Sequence, residues 1–318
     1  MPETDAAVNH ARIIVPVRNG GGRWREAANA LRAALPDPSL VAVVDSASTD
    51  GSDRVASESG FELVRIDPRT FNHGATRQMA VDRFCPGREF VVFLTHDAVL
   101  EEPEGLAALL GTFADPAVGV AYGRQLPHRG AKPFEAHMVL FNYGASSETR
   151  SLADAARLGI KAAYISNSFG AYRISALRSC GGFPSHLILG EDTCVAVKML
   201  LSGWKVRYCA EARVRHSHDY GILQETQRYF DFGVLHAQLP ELTRHFGSAE
   251  GEGARFVASE LRYILACAPW LLPVAPVRNA AKYAGYRLGR MFARLPPGVC
   301  RRLSMTKVFW DRFTPAGT

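Results

Sequence analysis

The strongest constraint on the fold is an alternation of short β-branched segments with helical stretches over the first 123 residues. Strands are predicted at 11–17, 40–45, 61–66, 89–95 and 117–123. Stretches with helical spacing lie between them, at 28–35, near 75–84 and near 103–113. This order is typical of a doubly wound α/β sheet, because neighbouring parallel strands are joined by crossover helices.

The second part of the chain returns to regular structure after a mixed stretch at 124–152. We predict a strand, a turn and a short helix within 162–183 and a helix at 191–204. The segment 205–218 is predicted to be a strand with the residues that directly follow it, and 223–239 a helix. With 318 residues, 47% of them hydrophobic, the chain can bury a large core. We expect a catalytic domain at 1–240 and a helical region at 241–318.

The positive charge is concentrated near the carboxyl end. Residues 255–318 contain eleven lysines or arginines against only Glu260 and Asp311, so this segment carries +9 in a chain whose net charge is +6. Aromatic residues are interleaved with these cations. The pattern fits a segment that faces anionic lipid headgroups or, equally, a solvated basic helical face, and nucleic acid is the less expected partner.

The sequence indicates a cytoplasmic protein. The first 15 residues contain no basic segment followed by an apolar stretch, so no secretory signal is expected. The six cysteines contain no CxxC pair, which argues against a zinc site and a disulfide framework. The longest apolar segment, 263–277, is shorter than a membrane span and contains three prolines, so we do not expect it to cross a bilayer.

Two predicted strands run directly into carboxylates. The segment VVFLTHDAVL places Asp97 at a strand end, and VVDSASTDGS does the same for Asp45. Open α/β sheets bind ligands at the carboxyl ends of their strands. We expect Asp45 to accept a hydrogen bond from a ring N–H of a pyrimidine base, with Ser48 and Asp50 holding its ribose. Turn and helix-cap chemistry is the alternative explanation for these polar residues.

Six motifs taken together resemble the inverting family 2 glycosyltransferases with the GT-A fold. In chain order they are IIVPVRN, DSASTDGS, FNHGATRQMA, LTHDA, NSFGAYR…CGGF and GEDTCVAVKMLLSGWKV. Within that family, LTHDA, HSHDY and a late YAGYRLGR are similar to bacterial rhamnosyltransferases that build surface polysaccharides such as O-antigen. The resemblance implies a dTDP-rhamnose or UDP-sugar donor and a glycan or lipid-linked glycan acceptor.

The resemblance also implies a divalent metal, Mn²⁺ or Mg²⁺, on the donor diphosphate. The usual family motif is Asp-x-Asp, but this chain has Asp97 followed by Ala98 and Val99. A second ligand must therefore come from elsewhere, and His216 and His218 are the candidates. Imidazole ligands suit Mn²⁺ better than Mg²⁺. A structural role is the alternative for both histidines.

Further residues are placed along the donor by the resemblance. They are Pro16, Arg18, His73, Gly74, Arg77 and His96. A helix beginning near residue 73 would offer its N-terminal amides to the diphosphate. A solvated surface arginine is the alternative for Arg77, and a structural histidine for His96.

The acceptor hydroxyl needs a base, and Glu191 and Asp192 begin a predicted helix where the dipole keeps carboxylates ionised. By resemblance Asp192 is the better base and Glu191 the reserve. Asn167 and Arg173 are predicted to contact the acceptor. The alternative for the carboxylate pair is a simple preference for a helix start.

Two other classes share this pattern. A sugar nucleotidyltransferase would have a glycine-rich triphosphate loop after the first strand, which RNGGGRW imitates poorly because it lacks the GxxxxGK[ST] spacing. A non-catalytic module that binds a nucleotide sugar or a membrane would keep the fold without turnover. Substitution of Asp192 separates this last class from an enzyme.

Overall fold

A nine-stranded mixed sheet lies at the centre of the molecule, in a computed structural model that describes residues 7–247 and 250–312. Its strands are β1 (Ala11–Val17), β2 (Val41–Asp45), β3 (Glu62–Arg65), β4 (Phe90–Leu94), β5 (Val99–Leu100), β6 (Val118–Leu126), β7 (Glu148–Arg150), β8 (Phe169–Arg173) and β9 (Lys205–Arg215). Their order is β3-β2-β1-β4-β8-β6-β9-β5, and β7 also pairs with β9.

Strand direction brings several strand ends to one edge of the sheet. Strands β3, β2, β1 and β4 are parallel, and β8 runs antiparallel to both β4 and β6. Strand β9 is parallel to β6, while β5 and β7 are antiparallel to β9. The carboxyl ends of β1, β2, β4, β6 and β9 therefore meet the beginning of β8 at a common edge.

Helices cover both faces of this sheet. They are α1 (Gly21–Ala34), α2 (Ser52–Glu58), α3 (His73–Phe84), α4 (Gly105–Gly111), α5 (Pro133–Asn142), α6 (Ala155–Leu158), α7 (Ile174–Ser179), α8 (Glu191–Leu201) and α9 (Ile222–Gln238). Alternate residues of one strand enter different cores, since Ile14 packs in one hydrophobic cluster and Ile13 in another. Burial on both faces explains why these strands are continuously apolar.

The carboxyl-terminal helices continue the structure with α10 (Pro240–Phe246), α11 (Glu250–Cys267), α12 (Val274–Arg290), α13 (Pro297–Leu303) and α14 (Lys307–Trp310). Helix α12 packs closely on α9 through Gly233, Gly285 and Gly289. A Cβ atom on Gly289 would lie 2.0 Å from the carbonyl oxygen of Phe230, so only glycine allows this approach. No helix among the described residues is long and apolar enough to cross a membrane.

Buried ion pairs join α12 to both α9 and α11. Arg278 lies 2.8 Å from a Glu225 carboxylate oxygen, and Lys282 lies 3.3 Å from Glu260. All four side chains are at most 13% exposed. Two of the carboxyl-terminal cations therefore hold helices together and do not contribute charge to the surface.

The predicted doubly wound α/β organisation is confirmed, and two of the differences in boundaries have a clear physical reason. Helix α1 begins at Gly21 and not at residue 28, because its first turns are polar apart from Trp24 and show no apolar spacing. The mixed stretch contains the end of β6, helix α5 and the short strand β7. Strand β6 extends to Leu126 because its last residues pair with the far end of β9.

Candidate active site

Strand β2 ends in a buried carboxylate, Asp45, and only one of its two oxygens has a hydrogen-bond partner among the described residues. Asp45 is 1% exposed, and its Oδ2 accepts a hydrogen bond from the Ser48 amide at 3.0 Å. Its Oδ1 is buried and has no hydrogen-bond partner among the described residues. A buried unpaired acceptor is costly unless a ligand supplies a donor. This geometry fits the expected ring N–H of a pyrimidine base.

The loops after β1 and β2 are joined by hydrogen bonds from backbone amides of the first loop to side chains of the second. The amide of Asn19 donates to Ser48 Oγ at 2.9 Å, and the amide of Gly21 donates to Asp50 Oδ2 at 2.8 Å. Asp50 Oδ1 accepts from the Ser52 hydroxyl at 2.6 Å, a bond that lowers the pKa of Asp50. Ser48 and Asp50 thus join the two loops beside Asp45. That they hold the ribose of a donor stays a prediction.

Three further donor-site candidates lie at the ends of β1 and β4. Pro16 is half-buried within β1, and Arg18 is exposed immediately after it. His96 follows β4 and packs against the loop after β1, where a Cβ atom on Gly20 would lie 2.9 Å from His96 Cδ2. All three therefore stand at the edge of the sheet that carries Asp45.

Asp97 meets both candidate histidines at the same edge. His216 Nε2 lies 3.4 Å from Asp97 Oδ1, and His218 Nδ1 lies 3.7 Å from Asp97 Oδ2. The ligand atoms of the three side chains lie within 4.8 Å of one another. Strand β9 delivers the histidines because it is parallel to β6 and ends beside the Asp97 turn. We call these three residues the metal corner.

The charge states of the metal corner suit a cation. Burial acts to raise the pKa of Asp97, but the contact with His216 and the nearby imidazoles of His96 and His218 outweigh it and hold that pKa well below its usual range. Burial lowers the pKa of His218 to about 4. An ionised carboxylate and a neutral imidazole are the forms that bind metals.

Gln125 fixes the orientation of His216. The ring Nδ1 of His216 lies 2.9 Å from Gln125 Oε1, and Gln125 Nε2 donates to Ser166 Oγ at 3.0 Å. With Nδ1 donating to this amide oxygen, a neutral ring turns the lone pair of Nε2 toward Asp97. Sequence reasoning missed Gln125. Its only signal was a polar residue just beyond the predicted end of a strand.

Asp192 lies in the first turn of α8, after Gly190 in the left-handed conformation at φ 75°. Its Oδ2 accepts from the Asn167 amide at 3.2 Å, and its Oδ1 accepts from the Thr193 amide at 2.7 Å. Burial and the adjacent charge of Glu191 raise the pKa of Asp192 to about 6. A half-buried carboxylate with this pKa is suited to accept a proton near neutral pH.

Glu191 is buried, and one of its carboxylate oxygens contacts two side chains. Its Oε1 lies 2.8 Å from Arg77 Nη1 and accepts from Asn167 Nδ2 at 3.0 Å. Asn167 Oδ1 in turn accepts from the Tyr172 hydroxyl at 2.7 Å. Glu191, Arg77 and Asn167 thus form a buried network next to Asp192. Their expected roles as reserve base, diphosphate cation and acceptor contact stay predictions. With Asp192, these three residues form the base corner.

His73 and Gly74 join helix α3 to the base corner. His73 Nδ1 lies 3.5 Å from Arg77 Nη1, and burial lowers the pKa of His73 to about 4. A Cβ atom on Gly74 would lie 1.7 Å from the Pro184 carbonyl oxygen. Gly74 therefore allows α3 to pack against the segment before α8, and that packing sets the distance from Arg77 to Glu191.

Arg173 is not part of the site. It ends β8, opposite Phe90 at the start of β4, so it lies at the far edge of the sheet from Asp97. Its guanidinium stacks on Phe90 and Phe113 and donates to the Phe113 carbonyl at 2.8 Å. The prediction that Arg173 contacts an acceptor is wrong, because β8 is antiparallel to β4.

A continuous set of contacts links the two corners. It passes from Asp97 through His216 and Gln125 to Ser166, and the next residue, Asn167, donates its amide to Asp192. The metal corner and the base corner thus belong to one site at one sheet edge.

Two O-antigen chain rhamnosyltransferases are similar to this chain over nearly its full length. The chain is 45% identical over 300 residues to the O-antigen chain rhamnosyltransferase WbaN of Salmonella anatum, covering 94% of this chain and 95% of the relative. It is 43% identical over 300 residues to RfbN of Salmonella typhimurium, which has the same description and the same coverage.

A solved structure shares the fold. The mannosyltransferase PcManGT from Pyrobaculum calidifontis, in complex with GDP-Man and Mn²⁺, aligns with a TM-score of 0.55 at 22% identity, over 96% of this chain and 88% of that one. The predicted GT-A-like mixed α/β fold is confirmed. Residues 7–234 match the family model described as Glycosyltransferase like family 2, and the chain belongs to that family of glycosyltransferases.

Proposed function

We propose that this protein is an inverting rhamnosyltransferase that moves rhamnose from dTDP-rhamnose onto a lipid-linked O-antigen intermediate at the inner face of the plasma membrane. Identity of 43–45% to two O-antigen chain rhamnosyltransferases over 94% of the chain supports the sugar and the acceptor class. The observation that carries the mechanism is the pair of corners described above, in which a carboxylate of raised pKa and a candidate cation site lie at the same sheet edge.

Asp192 acts as the base in this proposal. It takes the proton of the acceptor hydroxyl while that oxygen bonds to the anomeric carbon from the face opposite the diphosphate, and the bond from that carbon to the diphosphate breaks. With a pKa of about 6, the carboxylate is mostly ionised at pH 7 yet basic enough to receive a proton. Glu191, Arg77 and Asn167 keep it in place.

Asp97, His216 and His218 would hold the divalent cation, with Mn²⁺ favoured by the two imidazoles. When bound, the cation supplies charge stabilisation to the departing diphosphate. Gln125 keeps His216 turned toward that position. The single carboxylate is compensated by histidines delivered from the end of β9.

Asp45 recognises the nucleobase of the donor by accepting a hydrogen bond at its unpaired Oδ1. Thymine and uracil both present a ring N–H, so Asp45 supports a pyrimidine donor of either kind, and a UDP-sugar is the alternative. Asp45→Asn is expected to weaken binding of dTDP by roughly 10- to 150-fold, because a charge-assisted hydrogen bond is worth roughly 1.5–3 kcal/mol. Titration calorimetry with dTDP measures this effect, with the exposed Asp67→Asn as the matched control.

The direct test supplies the purified chain with Mn²⁺, labelled dTDP-rhamnose and membranes that contain the lipid-linked acceptor. We expect label in the lipid fraction, release of dTDP and a product anomer opposite to that of the donor. Transfer from a UDP-sugar alone would change the donor. Pyrophosphate release from dTTP and a sugar phosphate would identify a nucleotidyltransferase, and donor binding without turnover in any acceptor preparation would identify a non-catalytic module.

A further inference from the structure

Helices α11 and α12 form a hairpin whose tip, residues 263–284, presents apolar side chains to solvent. Trp270 is 71% exposed, Leu265 61% and Val277 57%. The tip also exposes Val274 and Tyr283, and Leu261 is exposed just before it. The exposed residues of α12 between 274 and 284 are all apolar, namely Val274, Pro276, Val277, Ala280, Tyr283 and Ala284, and the buried Ala275, Lys282 and Gly285 lie on the other side of the helix.

The tip exposes almost no charge. Between Tyr263 and Tyr286 the only charged residues are Arg278 and Lys282. Both are buried in ion pairs with Glu225 and Glu260 on the inward side of the hairpin. The outward face is therefore uniformly apolar over more than three helical turns, which is unusual for a surface that only contacts water.

Exposed arginines flank this apolar tip. Arg255 and Arg262 lie on α11, and Arg287, Arg290 and Arg294 follow the tip along the chain. An apolar face bordered by arginines, with a tryptophan at its centre, matches the chemistry of a segment that lies in the headgroup region of an anionic bilayer. A second copy of this chain would present the same cations and repel them at the border.

The hairpin also adjoins the site. Arg278 of α12 donates to the Tyr220 carbonyl at 3.0 Å, and the Tyr220 ring stacks on His218 of the metal corner at 5.2 Å. A groove of about 330 Å³ lies between the hairpin and this segment, with Phe134, Tyr220, Leu271 and Val274 in its lining. Whatever surface holds the tip therefore lies close to the metal corner.

We infer that the hairpin tip inserts shallowly into the interface of an anionic lipid bilayer and presents the site to acceptors held in that bilayer. The inference rests on the proposed function for its acceptor class. The binding itself depends only on the tip and its flanking arginines, so it can be measured without any transfer reaction.

The first experiment is sedimentation of the full chain with phosphatidylglycerol-containing vesicles and with pure phosphatidylcholine vesicles. We expect strong binding to the anionic vesicles that weakens as salt is raised. Leu265→Ser/Trp270→Ser/Val277→Ser should weaken binding by about tenfold or more, because three apolar side chains no longer leave water. The matched control is Leu152→Ser/Leu201→Ser, at exposed apolar residues outside the tip, which should bind like the parent.

A second measurement locates the tip in the parent chain. Trp270 is the only one of the four tryptophans with an exposed side chain. Its fluorescence should shift to shorter wavelength on anionic vesicles and be quenched by lipids brominated near the headgroup end of the acyl chain. The shift should disappear in Trp270→Phe while sedimentation persists.

Several outcomes would overturn the inference. They are absence of sedimentation with anionic vesicles, equal binding by the triple variant, and vesicle-independent self-association that the triple variant abolishes. The triple variant should still bind dTDP and transfer to a water-soluble acceptor analogue. If the parent chain transferred no sugar to any acceptor, the proposed function would be contradicted. The vesicle-binding measurements would still test the role of the tip independently.

Discussion

The metal corner lowers the pKa of its carboxylate, Asp97, whereas the base corner raises the pKa of its carboxylate, Asp192. Burial acts to raise the pKa of both Asp97 and Asp192. At the metal corner neighbouring imidazoles overcome this effect and hold the pKa of Asp97 low. At the base corner the neighbouring Glu191 adds to burial and raises the pKa of Asp192 to about 6. The neighbours, and not burial alone, therefore distinguish the proposed ligand carboxylate from the proposed proton acceptor.

The largest expected effect comes from removing the base. Asp192→Asn should lower transfer by roughly 10²- to 10⁴-fold, because general base catalysis contributes about that factor. Binding of dTDP should be unchanged, as measured by calorimetry, and Asp53→Asn, at a half-buried first-turn carboxylate of α2 that pairs with Arg65, serves as the control. Turnover at the parental rate would show that the base corner has been assigned wrongly.

The parent enzyme should also show the pKa of its base. Since the deprotonated form accepts the proton, kcat/KM should rise with pH and level off above about 6. Below that pH the rate should fall tenfold per pH unit. A profile flat from pH 5 to 7 would contradict the contrast between the two carboxylates.

Removing the ligand carboxylate should have the next largest effect on transfer. Asp97→Ala is expected to lower transfer by about a hundredfold or more and to abolish Mn²⁺ binding measured by electron paramagnetic resonance. Asp219→Ala removes a nearby carboxylate that is 44% exposed and paired with Lys132, and should leave both unchanged. If Asp97→Ala binds Mn²⁺ like the parent, the metal corner lies elsewhere.

Glu191→Gln tests the contribution of the buried Glu191 charge to the base corner. It leaves the buried Arg77 without its counter-charge, so we expect a loss of roughly 3–5 kcal/mol in the free energy of unfolding. The same change removes the negative charge that raises the pKa of Asp192, so the acid limb of the rate profile should move to lower pH. Glu102→Gln, at an ion pair about 40% exposed, should cost only about 0–1 kcal/mol.

Gln125→Met should have the smallest effect. It removes the acceptor of His216 Nδ1, and loss of such a supporting hydrogen bond lowers metal affinity by about 10- to 100-fold. Gln125→Glu retains an acceptor oxygen and should recover most of the affinity. Equal Mn²⁺ affinity in parent and Gln125→Met would mean that His216 is oriented by other contacts.

The amino-acid sequence determined the local features of this protein. Alternating apolar and helical segments predicted β1 and most of the other strands, and strands buried on both faces need that composition. Asp45 and Asp97 could be placed at strand ends, and Asp192 at a helix start, because each position depends only on its neighbours in sequence.

The tertiary structure alone decided which of these residues act together. Insertion of the antiparallel β8 between β4 and β6 places Asn167 beside Asp192 and sends Arg173 to the far edge. Pairing of β6 with β9 sets Gln125 against His216, and the close packing of α3 engages Arg77 with Glu191. These contacts join residues far apart in sequence, and strand order and direction are not encoded in any local pattern.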